Sequence, residues 1–339
     1  MSVSGRGTNL ALLAVFVLAL ATGAASFATG ASAGRWVIWA HGAAGLSVLL
    51  LAPRKTQIVR RGISRRRPGL WASAGLAVLV VIAVASGLGH STGMLLSAGP
   101  LSAMQVHVGA VLVVLPLVAW HVIARPARPR ATDLSRRTVL RAGVFLGASG
   151  AAYVAAEGLV RRTGLPGEDR RFTGSYERGS FDPDAMPVTQ WLNDDVPTVS
   201  ASEWRLTVGG MANGGGAGFT YDEIASFDHR IAVTLDCTGG WFAQQMWEGV
   251  WLSELVPETG DARSVVVRSV TGYQRRFPAD PASRLLLATR AEGEPLSAGH
   301  GFPLRLVVPG RRGFWWVKWV ERIELSDEPW WLQPPFPLA

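Results

Sequence analysis

The chain has 339 residues, 48% of them apolar and only 17% charged, with a formal net charge of +8. Residues 1–162 hold 17 Lys and Arg against Asp133 and Glu157 alone, a formal +15, whereas residues 163–339 hold 16 against 23 acidic residues, a formal −7. The basic residues of the first half sit between long apolar runs, which excludes the nucleic-acid reading that a basic chain otherwise invites and describes a membrane segment followed by a globular one.

Four apolar stretches come first, at about 9–29, 36–53, 70–89 and 103–124. Each is near the ~20 residues that a spanning helix needs. A fifth and weaker one covers about 142–160. Because further spans follow it, the first stretch is not read as a cleaved signal peptide. "RKTQIVRRGISRRR" lies between spans two and three and "RPARPRATDLSRRTVLR" between spans four and five, while the loops after spans one and three hold only Arg35. Basic loops stay in the cytoplasm. The expected topology therefore has a cytoplasmic N-terminus, five spans in the plasma membrane of a bacterium, and everything after about 163 outside the cytoplasm.

"SRRTVLR", 135–141, precedes the fifth span. Arg136 and Arg137 are either positive-inside anchors or a twin-arginine export pattern. The second alternative implies passage through the twin-arginine translocase, a route for folded cargo that carries a cofactor.

Four of the six histidines, His41, His90, His107 and His121, fall in the spans, where ionisable groups are costly and mark function. At ~1.5 Å of rise per residue, His41, His90 and His107 share one layer near the outer ends of spans two, three and four. Two neutral imidazoles facing each other across a bundle are what axial ligation of a b-type haem requires. His41 with His107 is the first choice, with His90 as substitute or propionate partner, and interfacial histidines that bind nothing are the alternative. His121 has no partner at the inner level of another span and is placed at the inner interface. The small residues of "HGAAG" around His41 would let a flat macrocycle approach the backbone.

After about 163 short β-type runs alternate with turn residues: "EWRLTVGG", "RIAVTLDC", "SVVVRSV", "PLRLVVPG", "WVERIELS". "TYDEIASF" and "VWLSELV" are expected to be helical, and "GGMANGGGAGF", 209–219, to be a hairpin. G-x-G-x-x-G opening a βαβ unit, H-E-x-x-H and G-x-S-x-G are all missing. Cys237, the one cysteine, ends a strand-like run and is followed by Gly239 and Gly240. On these residues alone it is either a buried structural thiol or a soft ligand for a metal centre that already has sulfur donors, with glycines admitting a bulky group.

"LDCTGGWFAQQMWEGVWLSELV" (235–256) together with "HGFPLRLVVPGRRGFWWVKWVERIEL" (300–325) resembles the sulfite oxidase type of molybdopterin-dependent oxidoreductase, over roughly 175–330. The resemblance implies that Cys237 binds molybdenum through sulfur, and that His300, Arg305 and Lys318 contact the pterin or its phosphate. It implies further pterin contacts at Ser269 and, in "PVTQWLND" (187–194), at Thr189, Trp191 and Asn193. Trp247, Gly249, Val250 and Leu252 match a W-x-G-V-x-L segment expected to pack a helix under the site. True sulfite oxidases carry an oxyanion-binding arginine where Trp191 stands here, which puts sulfite in doubt as substrate. Tyr273, with Arg275 or Arg276, is expected to line the substrate pocket as the catalytic residues, and core filling is the alternative for the aromatic residues.

The expected architecture is a membrane all-α helical bundle of five spans plus a soluble α+β, mostly β, molybdopterin-binding domain. Residues 1–130 are the four-helix membrane domain with a haem b held by His41 and His107. Residues 131–162 are the twin-arginine-like motif and fifth span, and residues 163–339 are the extracytoplasmic oxidoreductase domain. The implied cofactors are molybdenum-molybdopterin and haem b. The implied partners are a small sulfur or nitrogen oxide substrate, membrane lipid, a quinone or another redox protein, and the twin-arginine translocase during biogenesis, with no nucleic acid. The alternatives are the same enzyme on a haem-free anchor with a separate electron partner, or a non-enzymatic extracytoplasmic binding domain.

Overall fold

The computed structural model describes residues 5–64, 69–127, 129–130, 133, 135–190, 194–209, 216–256, 259–280 and 282–334. They fall into two compact units, one of residues 1–27 and 32–174, the other of residues 28–31 and 175–339.

The first unit is helical. Its helices are α1 Gly5–Ala28, α2 Arg35–Ser64, α3 Leu70–Thr92, α4 Ala103–Ala124 and α5 Arg136–Arg162, each long and apolar enough to cross a membrane. A hairpin of β1 Ser97–Ala98 and β2 Leu101–Ser102 joins α3 to α4. Ser102 then caps α4: its Oγ accepts from the N–H of Gln105 at 3.1 Å, and Gln105 Oε1 accepts from the N–H of Ser102 at 2.8 Å. This reciprocal pair satisfies two of the otherwise orphaned donors at a helix start. Helices α3 and α4 pack together, as do α2 and α5. In the second pair the buried hydroxyl of Ser47 donates to that of Ser149 at 2.7 Å. Val17, Val78, Val81, Leu112 and Val144 on these helices are each more than half exposed.

Helix α2 runs eleven residues past the apolar stretch, through Pro53 to Ser64. Hydropathy marks where a helix meets hydrocarbon, not where its backbone hydrogen bonding ends. The Lys and Arg of "RKTQIVRR" are good helix formers, so the helix continues into the basic segment. Pro53 costs it a single N–H donor.

The second unit holds two sheets. β3 Tyr176–Glu177, β6 His229–Asp236, β7 Trp241–Trp251, β10 Leu286–Ala291, β11 Glu294–Pro295 and β12 Arg305–Val307 form the six-stranded one. β7 pairs antiparallel with β6 and β10 and parallel with β3, and β12 adds to β10. The other sheet has the order β5-β4-β13-β8-β9, where β4 is Arg205–Gly209, β5 Gly216–Thr220, β8 Ser264–Ser269, β9 Gln274–Pro278 and β13 Val320–Ser326. Its one parallel pairing is β13 with β4. Period-two burial is plain in β4, where Leu206 and Val208 are buried and Arg205 and Thr207 exposed. Short helices α6 Tyr221–Ala225 and α7 Leu252–Leu255 complete the unit.

β4 and β5 pair antiparallel from Arg205 with Thr220 to Gly209 with Gly216; of the glycine-rich segment 209–219, expected to be a hairpin, residues 210–215 lie outside the described residues. The W-x-G-V-x-L segment differs from expectation. Trp247, Gly249 and Val250 lie in β7, and the helix begins only at Leu252. Bulky residues buried on both faces of a central strand carry no alternation that separates strand from helix. Gly249 has a strand-specific role, since a side chain there would run into the carbonyl of Leu287 on β10.

Candidate functional site

β6 delivers Cys237 at its C-terminal end, and a tight turn returns the chain into β7. The N–H of Cys237 donates to the carbonyl of Trp241 at 2.8 Å, and the N–H of Gly240 donates to the carbonyl of Cys237 at 3.2 Å. Gly240 has φ 96°, a conformation that favours glycine. The N–H of Gly239 points at Cys237 Sγ, 3.3 Å away. Burial pushes the thiol pKa up, opposed by that N–H and by the charge of Arg312. Gly313 closes on the turn from another segment: a Cβ there would stand 3.3 Å from Cys237 Cα.

Cys237 lines an open cavity. Thr189, Ser269, Tyr273, His300, Arg305 and Lys318 line it too. The structure thus brings together seven of the residues singled out in the sequence, drawn from distant segments. Trp191 and Asn193 lie outside the described residues. Arg275 is placed elsewhere: it is 2% exposed, its guanidinium lies 4.2 Å from the centre of the Trp315 ring, and Nη1 donates to the carbonyl of Pro334 at 3.3 Å. Its neighbour Arg276 pairs with Glu328 at 2.5 Å.

The cations of the cavity are the informative part. Arg305 is 3% exposed, sandwiched with its guanidinium 5.3 Å from the ring centres of both Trp247 and Trp316. Nη1 donates to the carbonyl of His300 at 2.8 Å, and Nε has no hydrogen-bond partner among the described residues. Burial pulls its pKa down to about 10. Lys318 donates to the carbonyls of Thr189 at 2.8 Å and Gly299 at 2.7 Å. Burial, and then Arg305, push its pKa down to about 7. Among the described residues no carboxylate forms an ion pair with either. Buried charge without a counter-charge is costly, and an anion in the cavity removes that cost.

His300 contributes no charge. Its Nε2 reaches the carbonyl of Met186 at 3.0 Å and its Nδ1 the hydroxyl of Ser297 at 2.9 Å. Because a carbonyl only accepts, the proton belongs on Nε2. Burial, followed by Arg305, pushes its pKa down to about 4. Ser269 Oγ is tied to Thr271, accepting its N–H at 3.2 Å. The Tyr273 hydroxyl donates to the carbonyl of Phe314, and burial raises its pKa.

Sequence reasoning missed several neighbours. Gln190, Asp194, Thr238 and Trp241 line the same cavity. Behind the cysteine lies a second group that it did not single out: Asp236, Ser175 and Arg312 are 1%, 0% and 4% exposed. Arg312 Nη2 meets Asp236 Oδ1 at 3.2 Å, Ser175 Oγ at 3.1 Å and the carbonyl of Cys237 at 2.7 Å. An aspartate closing the apolar run "RIAVTL" was a visible signal of this; its partner, 76 residues further on, was not.

In the helical unit His41 of α2 and His107 of α4 meet with ring centres 5.9 Å apart and planes at 89°. Nδ1 of His41 reaches the carbonyl of Ala19 at 2.9 Å, and Nδ1 of His107 the carbonyl of Ala83 at 2.7 Å. A carbonyl partner fixes the proton on Nδ1 and leaves Nε2 unprotonated. Glycines face both rings: a Cβ on Gly23 or Gly87 would stand 3.0 Å from His41 or His107 respectively. His90 is not part of the pair, since its Nε2 lies 2.8 Å from the carbonyl of Gly174.

Residues 193–332 match the family model of the oxidoreductase molybdopterin binding domain. Mitochondrial sulfite oxidase of Rattus norvegicus is 28% identical over 168 positions, covering 39% of this chain and 31% of that protein. Nitrate reductase [NADH] 1 of Arabidopsis thaliana is 29% identical over 172 positions, covering 39% of this chain and 19% of that protein. The sulfane dehydrogenase SoxCD of Paracoccus pantotrophus aligns with 27% identity and a TM-score of 0.36 over 39% of this chain and 40% of that one. The chain spans a third or less of the length of the two curated relatives. This part of the chain is a molybdopterin-binding oxidoreductase domain homologous to those of sulfite oxidase and nitrate reductase.

Proposed function

We propose that the protein is a membrane-anchored molybdenum-molybdopterin oxidoreductase that exchanges electrons with the membrane through a built-in haem b. The observation that carries the first part is one cysteine in a single cavity with the buried Arg305 and the half-buried Lys318, neither of which forms an ion pair with a carboxylate among the described residues. Cys237 is the sulfur ligand to the metal. Arg305 and Lys318 hold the phosphate of the pterin, and neutral His300 presents its own carbonyl to Arg305 and so orients the guanidinium. When bound, the molybdenum centre supplies two-electron oxygen-atom transfer.

The substrate is a small sulfur or nitrogen oxide. Once Arg305 and Lys318 are committed to a phosphate, the described lining residues offer hydroxyls, an amide, aromatic rings and Asp194, and among them no further Arg or Lys. The loop 187–194 contains no basic residue. Both features weigh against sulfite. Tyr273 shapes the wall beside Cys237, its hydroxyl held on Phe314.

His41 and His107, whose ring centres stand 5.9 Å apart, are the residues that would hold the haem iron. Haem iron supplies one-electron steps between the two-electron site and a quinone or redox protein. Five apolar helices, exposed apolar side chains on them, and Trp36 and Trp71 standing exposed at helix starts support a bundle in the cytoplasmic membrane. Arg136 and Arg137 at the exposed start of α5 support export of the sheet unit by the twin-arginine translocase.

The test is to purify the full chain in mild detergent, measure its metals by mass spectrometry, and record its visible spectrum with and without dithionite. The expected result is one molybdenum per chain together with a reducible haem b spectrum. Molybdenum without haem would overturn the histidine assignment and leave a haem-free anchor. A chain without molybdenum, from cells shown to supply the cofactor, would overturn the assignment of Cys237.

A further inference from the structure

We infer that Asp236, Arg312 and Ser175 form a positioning unit for Cys237, a buried ion pair and hydroxyl that clamp its carbonyl and thereby aim its sulfur into the cavity. The inference rests on reading Cys237 as the metal ligand. Arg312 Nη2 bonds the Cys237 carbonyl at 2.7 Å and Ser175 Oγ at 3.1 Å, and lies 3.2 Å from Asp236 Oδ1. Ser175 donates to Asp236 Oδ1 at 2.7 Å, which closes the triangle. All three side chains are at most 4% exposed. None lines the cavity, so the unit stands behind the ligand and does not touch what the cavity holds. Hydrophobic residues of similar volume often replace a buried ion pair at no loss of stability, so stability alone gives little reason for this one. A ligand whose direction must be fixed does give a reason, because groups behind a metal ligand set its orientation. The chain already turns sharply at Cys237, and its carbonyl is held from outside the turn by Arg312 at 2.7 Å, beside Gly313, and by Ser175 Oγ at 3.4 Å.

The test uses the full chain in detergent and reads Cys237 directly, since it is the only cysteine. Asp236→Asn with Arg312→Gln neutralises the pair without stranding one buried charge. Ser175→Ala is the milder companion. Molybdenum and pterin contents are measured, then the rate at which iodoacetamide alkylates the thiol in loaded and cofactor-free protein. In the parent chain, loading protects the thiol. In the double variant pterin content is retained, because Arg305 and Lys318 are intact. At equal molybdenum content the loaded thiol is alkylated at least about tenfold faster, and the sulfur-to-molybdenum charge-transfer absorption loses intensity. General loss of stability would not change that absorption in the folded fraction. Ser175→Ala moves both readouts the same way by less, and it decides the question alone should the double variant fail to accumulate. Protection and absorption unchanged in the variants would overturn the positioning unit. A parent chain in which loading gives no protection would instead overturn the role of Cys237 itself.

Discussion

In the helical unit the two imidazoles are oriented by main chain: carbonyls of Ala19 and Ala83 hold their Nδ1 atoms, and Gly23 and Gly87 leave the rings room. In the sheet unit the cavity is built by side chains: Arg305 between two tryptophans, Lys318 across two loops, Arg312 behind the cysteine. A helix offers carbonyls at every turn, so a site in a bundle needs few special residues. Strand ends and loops offer irregular backbone, so a site there draws on residues far apart in sequence. The two proposed centres should therefore fail independently, and differently.

Independence is the largest expected effect. Cys237→Ser should abolish molybdenum-dependent turnover while leaving a reducible haem spectrum intact. His107→Ala should abolish the haem spectrum while leaving molybdenum and pterin contents at parental levels. Metal analysis and visible spectra of both variants check the pair. Loss of both cofactors in either variant would break the comparison.

The next effect separates binding from folding within the cavity. Arg305 is buried and, among the described residues, has no carboxylate partner and no partner for Nε. Arg305→Met removes that uncompensated charge but fills the space between Trp247 and Trp316. Thermal unfolding of the cofactor-free chain should occur at the same temperature or higher, whereas affinity for sulfate as a phosphate mimic should fall at least about 30-fold, or roughly 2 kcal/mol. A variant that melts lower and binds as before would mean that Arg305 serves packing and not an anion.

The same contrast governs what the sequence revealed. All five helices were legible, because some twenty apolar residues between basic loops have few other physical solutions. The end of α2 was not, because past Pro53 hydropathy and helix formation part company. That His41 and His107 lie at one level was legible from depth, since helical rise is regular; that they form the pair was not. His90 sits at the same level but bonds Gly174, a choice of rotamer and neighbour that depth does not carry. In the sheet unit Cys237, His300, Arg305 and Lys318 came from two short segments that resemble a family. Arg275 was misplaced because alternation along β9 does not say whether a buried arginine meets a cavity or aromatic rings. Asp236 and Arg312 stayed hidden because their pairing depends on how β6 and the loop before β13 approach, which is a property of the fold.

The smallest effect is one of pH, and its sign follows from Lys318. Burial, with Arg305 beside it, pushes the Lys318 pKa down to about 7 in the cofactor-free protein, so near neutrality about half the molecules carry a neutral amine there. An anion in the cavity favours the charged form and raises that pKa. Binding near and above pH 7 therefore takes up a proton, and affinity must fall as pH rises, approaching tenfold per pH unit until the raised pKa is reached. Sulfate does not titrate in this range. His300, held down to about 4, stays neutral throughout. Titrating cofactor-free protein with sulfate between pH 6 and 9 should show this decline. Lys318→Met should flatten it and lower the affinity at pH 6 by about tenfold, the loss of one charge-assisted hydrogen bond. The histidine pair gives the contrasting expectation: its ligand atoms are set by main-chain carbonyls, so haem retention should not follow the sulfate profile over the same range. A flat sulfate profile in the parent chain would show that Lys318 does not meet the anion, and would leave Arg305 to hold it alone.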